Sequence, residues 1–226
     1  MLDQRKRIRL LMLTVLVLPV VLFGLGYFAV DHRFEHVAFQ YTLAPGGDTV
    51  FHRLPAFALP VAGGDTLRDS DLRGGVSYLS FVGCEDDAAK RRTVLLGNLK
   101  RFYDNIEWDK APAIRFITLS TGDSLPQVRA LADSVGLPAA HWTFAATDTA
   151  QLARLIQELR VPGFERWQPG DAPFTAQTVV MLDPEGRVRQ YYIATDLKEE
   201  RRMQEDLITL LRLEYPDELK RTRNNR

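Results

Sequence analysis

Val76-Ser77-Tyr78-Leu79-Ser80-Phe81-Val82 is an uncharged, mostly apolar run. A strand kept dry on both faces reads this way, whereas a half-exposed strand alternates apolar and polar positions. The run predicts a central strand in a sheet covered on both sides. Downstream, Asp86 to Ile106 predicts a helix: Leu95, Leu99, Phe102, Tyr103 and Ile106 share one face, and Asp86 and Asp87 suit its positive N-terminus. Ile114–Ser120 predicts a second strand, Leu125–Val135 a helix stopped by Gly136, and Trp142–Phe144 a short strand. A further helix, capped by Thr149, would carry Leu152, Leu155, Ile156 and Leu159. Thr178–Leu182 and Val188–Ile193 flank the turn Asp183-Pro184-Glu185-Gly186 and predict a hairpin, followed by an amphipathic helix from Leu197 to about Leu213. Upstream, Phe57-Ala58-Leu59 predicts a short strand, Gly63-Gly64-Asp65 a turn, and Ser70–Gly74 a helical turn.

Two βα units thus lead into an antiparallel hairpin closed by a helix. The expected fold class is α/β, a thioredoxin-like fold with a mixed central sheet, preceded by one N-terminal transmembrane helix. Val76–Val82 and Ile114–Ser120 should be adjacent and parallel, with the hairpin extending the same sheet antiparallel.

Leu10 to Val30 is 21 residues without a charge. At 1.5 Å per residue, about 20 apolar residues cross a bilayer core. Arg5, Lys6, Arg7 and Arg9 precede the run; only Arg33 is basic just after it, beside Asp31 and Glu35. This asymmetry places the N-terminus in the cytoplasm. A cleaved signal peptide has a shorter apolar core, and the run continues past Gly24-Leu25-Gly26, the nearest small-x-small site. The expected organisation is a basic cytoplasmic segment 1–9, a transmembrane helix 10–30, a linker 31–50, a thioredoxin-like domain 51–215 and a polar tail 216–226. In a bacterium this topology gives a single-pass protein of the cytoplasmic membrane, with its soluble domain on the periplasmic side.

Lys and Arg total 29, as do Asp and Glu, so net charge is zero and no basic excess points to nucleic acid. Cys84 is the one cysteine, which excludes an internal disulfide, a CxxC dithiol or a multi-thiolate metal site. It reads either as a small buried hydrophobe at the end of a strand or as a thiol activated by a helix N-terminus. Glu85, Asp86 and Asp87 follow it and oppose thiolate formation. His32 and His36 stand at i, i+4 spacing beside the apolar run, His52 precedes the first domain strand, and His141 reads as a surface or packing residue. Gly63-Gly64 and Gly74-Gly75 are turns rather than a phosphate loop; Asp123-Ser124 reads as a cap, and no H-E-x-x-H or G-x-S-x-G motif occurs.

An ordered set of pieces carries a resemblance: Phe57-Ala58-Leu59, Asp71-Leu72-Arg73-Gly74, a strand running into Phe81-Val82-Gly83-Cys84, Leu119-Ser120-Thr121, Trp142-Thr143-Phe144 and Leu182-Asp183-Pro184-Glu185-Gly186. Over residues 54–213 the chain resembles the SCO/SenC family of membrane-tethered, thioredoxin-fold copper chaperones for cytochrome oxidase assembly. The resemblance implies a C-x-x-x-C pair and a distant histidine, a soft ligand set for Cu(I). Cys84 matches the first cysteine, Ala88 stands at the second, and Phe174-Thr175-Ala176-Gln177 holds no histidine. The ancestral ligand positions Cys84, Ala88 and Thr175 are thus mostly lost, and Cys84 alone remains as a candidate catalytic residue. No cofactor is expected, and copper only where a partner supplies ligands. The implied function is a redox- and copper-degenerate assembly or binding factor in respiratory oxidase biogenesis, more a binding protein than an enzyme. Its expected partners are the bilayer, through residues 10–30, and another membrane protein. The alternatives are a single-cysteine thiol protein acting through Cys84, by mixed disulfide or copper transfer, and a structural subunit of a membrane complex.

Overall fold

In the computed structural model of the protein, the described residues are Met12, 14–19, Val21, 36–83, 86–106, Trp108, 114–164, Arg166 and 177–215. The chain divides into two units, 1–35 and 36–226. In the first, the described residues 12, 14–19 and 21 are helical and exposed. Among the described residues no helix is long and apolar enough to cross a membrane. The expected continuous helix over most of residues 8–32 lies largely outside them.

The second unit begins with hairpins β1–β2 (Tyr41–Leu43, Thr49–Phe51) and β3–β4 (Ala58–Pro60, Thr66–Arg68), then a 3-10 turn at Asp69–Leu72. There follow β5 (Val76–Gly83), α1 (Asp86–Asp104), β6 (Ile114–Thr121), α2 (Leu125–Val135), β7 (Trp142–Thr147), α3 (Thr149–Glu158), β8 (Thr178–Leu182), β9 (Val188–Ile193) and α4 (Leu197–Leu213). The central sheet runs β7-β6-β5-β8-β9. β5 pairs parallel with β6 from Val76↔Ile114 to Gly83↔Thr121, and β6 parallel with β7; β8 joins β5 antiparallel and β9 joins β8 antiparallel. This is the mixed sheet that the sequence predicts.

The two faces of β5 explain its lack of alternation. Val76, Tyr78 and Val82 pack with Leu95, Leu99 and Phe102 of α1 and Leu207 and Leu210 of α4. Leu79 and Phe81 face the other way, toward Leu152, Leu155 and Ile156 of α3 and Leu59 of β3. Helices therefore cover both faces and every β5 residue but Gly83 is buried. The strand also buries the hydroxyls of Ser77 and Ser80, and the second of them is hydrogen-bonded. Ser80 Oγ and Thr118 Oγ1 lie 2.8 Å apart, and Trp142 Nε1 donates to Thr118 Oγ1 at 2.9 Å.

Several local expectations shift. The stretch read as linker, 31–50, contains β1 and most of β2, because Ala44 and Gly47 close a turn and Gln40 and His52 bond the backbone of Val188. Val37 is already buried in the core. Asp148, rather than Thr149, caps α3: its carboxylate accepts from the Gln151 N–H at 2.7 Å, and Thr149 is the first helical residue. The strand expected at Phe57–Leu59 starts one residue later. α1 ends at Asp104, two residues before Ile106, which reaches the core from the turn that follows. Gly136 is left-handed (φ 69°) and stops α2, as expected for a C-terminal glycine.

Candidate functional site

The parallel strands β5, β6 and β7 end together at one edge of the sheet, where ligands of open α/β sheets collect. Gly83 and Thr121 are register partners there. β8 starts at the same edge, since it pairs antiparallel with β5 from Ser77↔Leu182 to Ser80↔Val179. The chain therefore leaves β5 toward Cys84 at the edge where it enters β8 from Thr175. Cys84, Glu85, Thr175 and Ala176 lie outside the described residues, and so does the expected contact between Cys84 and residues 175–177. Ala88 falls in the first turn of α1.

The described lining of this edge is small and polar. Gln177 Oε1 accepts from the Thr195 hydroxyl, and Asn98 Nδ2 donates to the Ala194 carbonyl at 2.7 Å, tying α1 to the end of β9. Asp123 accepts from the Ser120 hydroxyl, and Arg92 Nη1 of α1 stands 3.5 Å from its carboxylate, whose side chain is 6% exposed. Ser124 caps α2 through a capping box with Gln127, as Asp123-Ser124 suggests. Among the described residues no group of three or more His, Cys, Asp or Glu could hold a metal ion.

The described histidines lie apart from this edge or in packing roles. His36 Nδ1 is 3.5 Å from Glu214 Oε1. His52 Nδ1 is 3.3 Å from the Tyr191 hydroxyl; burial, followed by the Arg160 charge, holds its pKa below the ordinary value. His141 packs against the Trp108 ring at 4.3 Å between centroids. His32 is outside the described residues.

Among the described residues, a dense cluster of buried charge sits at the opposite edge. Arg189, fully buried at the start of β9, donates to both oxygens of Glu214 at 2.6 Å, lies 3.6 Å from Asp183 and donates to the Val37 carbonyl. Arg187 Nε donates to Asp183 at 2.7 Å, and its Nη2 to Glu185 at 2.8 Å. Phe39 lies against both guanidinium groups, at 3.9 Å from Arg189 and 4.7 Å from Arg187. Burial pushes Asp183 above its ordinary pKa, with Arg187 only partly offsetting it. Burial acts the same way on Glu214, but the hydrogen bonds and charge of Arg189 outweigh it and leave Glu214 low. No local signal betrays this cluster: Arg189 follows Val188 in the run Val-Arg-Gln-Tyr-Tyr-Ile, and its partner Glu214 is 25 residues away.

No protein-family model matches the sequence, and neither does any curated protein. Solved structures do. A protein from Aquifex aeolicus VF5, assigned provisionally to electron transfer, superposes with a TM-score of 0.57 at 15% identity, over 71% of this chain and 97% of its own. BsSco, a member of the Sco family of cytochrome c oxidase assembly proteins, gives 0.54 at 19% identity, over 74% and 98%. Arabidopsis thaliana ScoI, solved with copper bound, gives 0.50 at 12% identity, over 70% and 97%. The domain has a thioredoxin-like α/β fold whose structural neighbours include Sco proteins.

Proposed function

We propose that this chain is a membrane-anchored, Sco-related assembly or binding factor in respiratory oxidase biogenesis, acting through a partner surface rather than through a dithiol or a chelated copper. The observation that carries this reading is the pairing of a Sco-like fold with a single cysteine, Cys84. One thiolate can neither close an internal disulfide nor chelate Cu(I) alone, and Ala88 replaces the second thiol. The uncharged run Leu10–Val30 supplies the anchor, and the basic residues before it put the folded domain on the far side of the membrane. In a bacterium that side is periplasmic.

The decisive experiment is Cys84→Ala with oxidase assembly as the readout, beside a deletion strain that establishes the requirement for the protein. Full assembly in the variant supports a thiol-independent factor. Loss of assembly with the protein still folded and present supports the second reading, a single-cysteine protein that shares a disulfide or a copper ion with its partner. That reading draws on α1 starting two residues after Cys84, since a helix N-terminus favours a thiolate. Copper titration of the double variant Ala88→Cys, Thr175→His tests the ancestry of the pocket. Recovery of Cu(I) binding over the parent supports it; no gain in a folded protein limits the kinship to fold.

A further inference from the structure

We propose that the β1–β2 hairpin is a second, shallow membrane contact that lies in the lipid headgroup layer. The inference rests on the anchored reading above. Residues 37–51 hold one charge, Asp48, whereas residues 31–36 hold Asp31, Arg33 and Glu35. Within the hairpin Tyr41, Leu43 and Val50 are 52%, 67% and 51% exposed. Tyr41 and Leu43 lie on one face with Phe51, while Val50, paired with Thr42, lies on the other. A flat protein partner would cover one face and leave the other wet. A lipid headgroup layer surrounds both, and it is the region where tyrosine and phenylalanine side chains settle.

Chain length and construction agree with that occupant. Ten residues separate Val30 from Tyr41, a tether of at most about 35 Å. The hairpin has three residue pairs, marginal for an isolated ribbon, yet it is held at its base. Gln40 N–H donates to the Val188 carbonyl at 3.1 Å, Val188 N–H to the His52 carbonyl at 2.8 Å, and the Phe39 and Phe51 rings pack at 5.2 Å. Asp48 in the turn keeps the ribbon out of the acyl core, so the contact is shallow. The geometry also has an orientational result. The hairpin attaches where β9 begins, and the edge next to Gly83 lies at the other end of the sheet. A hairpin seated on lipid turns the Cys84 edge away from the bilayer, toward the exposed domain of a membrane partner.

The test uses the full-length chain in phosphatidylcholine–phosphatidylglycerol vesicles, with and without lipid carrying a nitroxide on its headgroup. Flotation with the vesicles is measured first. Leu43→Trp then places a fluorophore on the hairpin, Tyr41→Trp serves if that variant misfolds, and Ile193→Trp is the control, since Ile193 is comparably exposed at the other end of β9. The expected result is a large loss of the added emission for Leu43→Trp and none for Ile193→Trp. Equal behaviour of the two in floating protein overturns the hairpin contact while leaving the anchor intact. Shielding of Leu43→Trp from acrylamide without nitroxide quenching means that a second copy or another protein covers the hairpin, and it also overturns the proposal. Failure to float overturns the anchor, and the proposal falls with it.

Discussion

The two edges of the central sheet are built on opposite electrostatic principles. At the edge where β5, β6 and β7 end, the described lining is neutral hydrogen bonding among Gln177, Thr195 and Asn98, with one loose ion pair between Arg92 and Asp123. At the other edge two arginines and three carboxylates interlock around Phe39. Perturbed carboxylates often mark active sites, and structural ion networks perturb them too. Here the perturbed carboxylates are bonded within the chain: both oxygens of Glu214 accept from Arg189, and Asp183 accepts from the Glu185 and Arg187 N–H groups as well as from Arg187 Nε. Carboxylates held this way, by two arginines and by backbone N–H groups, are committed to contacts within the chain. Charge density at this edge therefore serves architecture. It clamps residues 36–39, the β8–β9 turn and the end of α4 onto one another.

If that contrast holds, the largest effect belongs to Arg189→Ala. Removing one partner of a buried pair leaves uncompensated charge and costs about 3–5 kcal/mol, a fall of roughly 6–20 °C in Tm. Arg189→Met combined with Glu214→Leu should recover much of that loss in thermal melts, because an apolar replacement of the whole pair removes the stranded charge. A fall no larger than that for Arg92→Ala would break the comparison. Next comes the buried hydroxyl row between the edges. Thr118→Val strands the Trp142 indole N–H, which now donates to Thr118, and should cost about 1–3 kcal/mol by denaturant titration. Arg92→Ala should cost about 1 kcal/mol or less, since its 3.5 Å pair is partly exposed and Asp123 keeps the Ser120 hydroxyl.

The smallest effect is a pH dependence. Glu214 is held below its ordinary pKa of 4.5 in the folded chain. The unfolded chain therefore binds that proton more readily, so the stability due to Glu214 is complete above about pH 4.5 and drains away as pH falls through the folded value. Asp183, held high, carries the opposite sign, so the difference between parent and Glu214→Gln isolates the first term. The variant should lose least relative to the parent at the acid end of the curve. A difference that stayed constant from neutral pH down to pH 3 would show that Glu214 titrates normally.

How far the sequence reached is plain from particular elements. The bounds of α2, β8, β9 and α4 coincide with those read from periodicity and turn residues, because apolar spacing reports directly which faces are dry and glycine and proline mark where a chain must turn. The uncharged, mostly apolar run Val76–Val82 was enough to place a central strand between two layers, since a half-wet strand alternates apolar and polar positions. The same local rules assigned residues 31–50 to a linker, because three-residue strands with exposed side chains carry no periodicity; the order of β1 and β2 comes from Val188, far along the chain, which bonds both Gln40 and His52. They also passed over Arg189. A single arginine in a strand reads as surface, and only the tertiary structure brings Glu214, Asp183, Phe39 and the Val37 carbonyl around it and makes its burial affordable. Residue type and spacing determined what had to be dry. Which distant groups meet to neutralise a buried charge is decided when the sheet and helices bring them within a few ångströms.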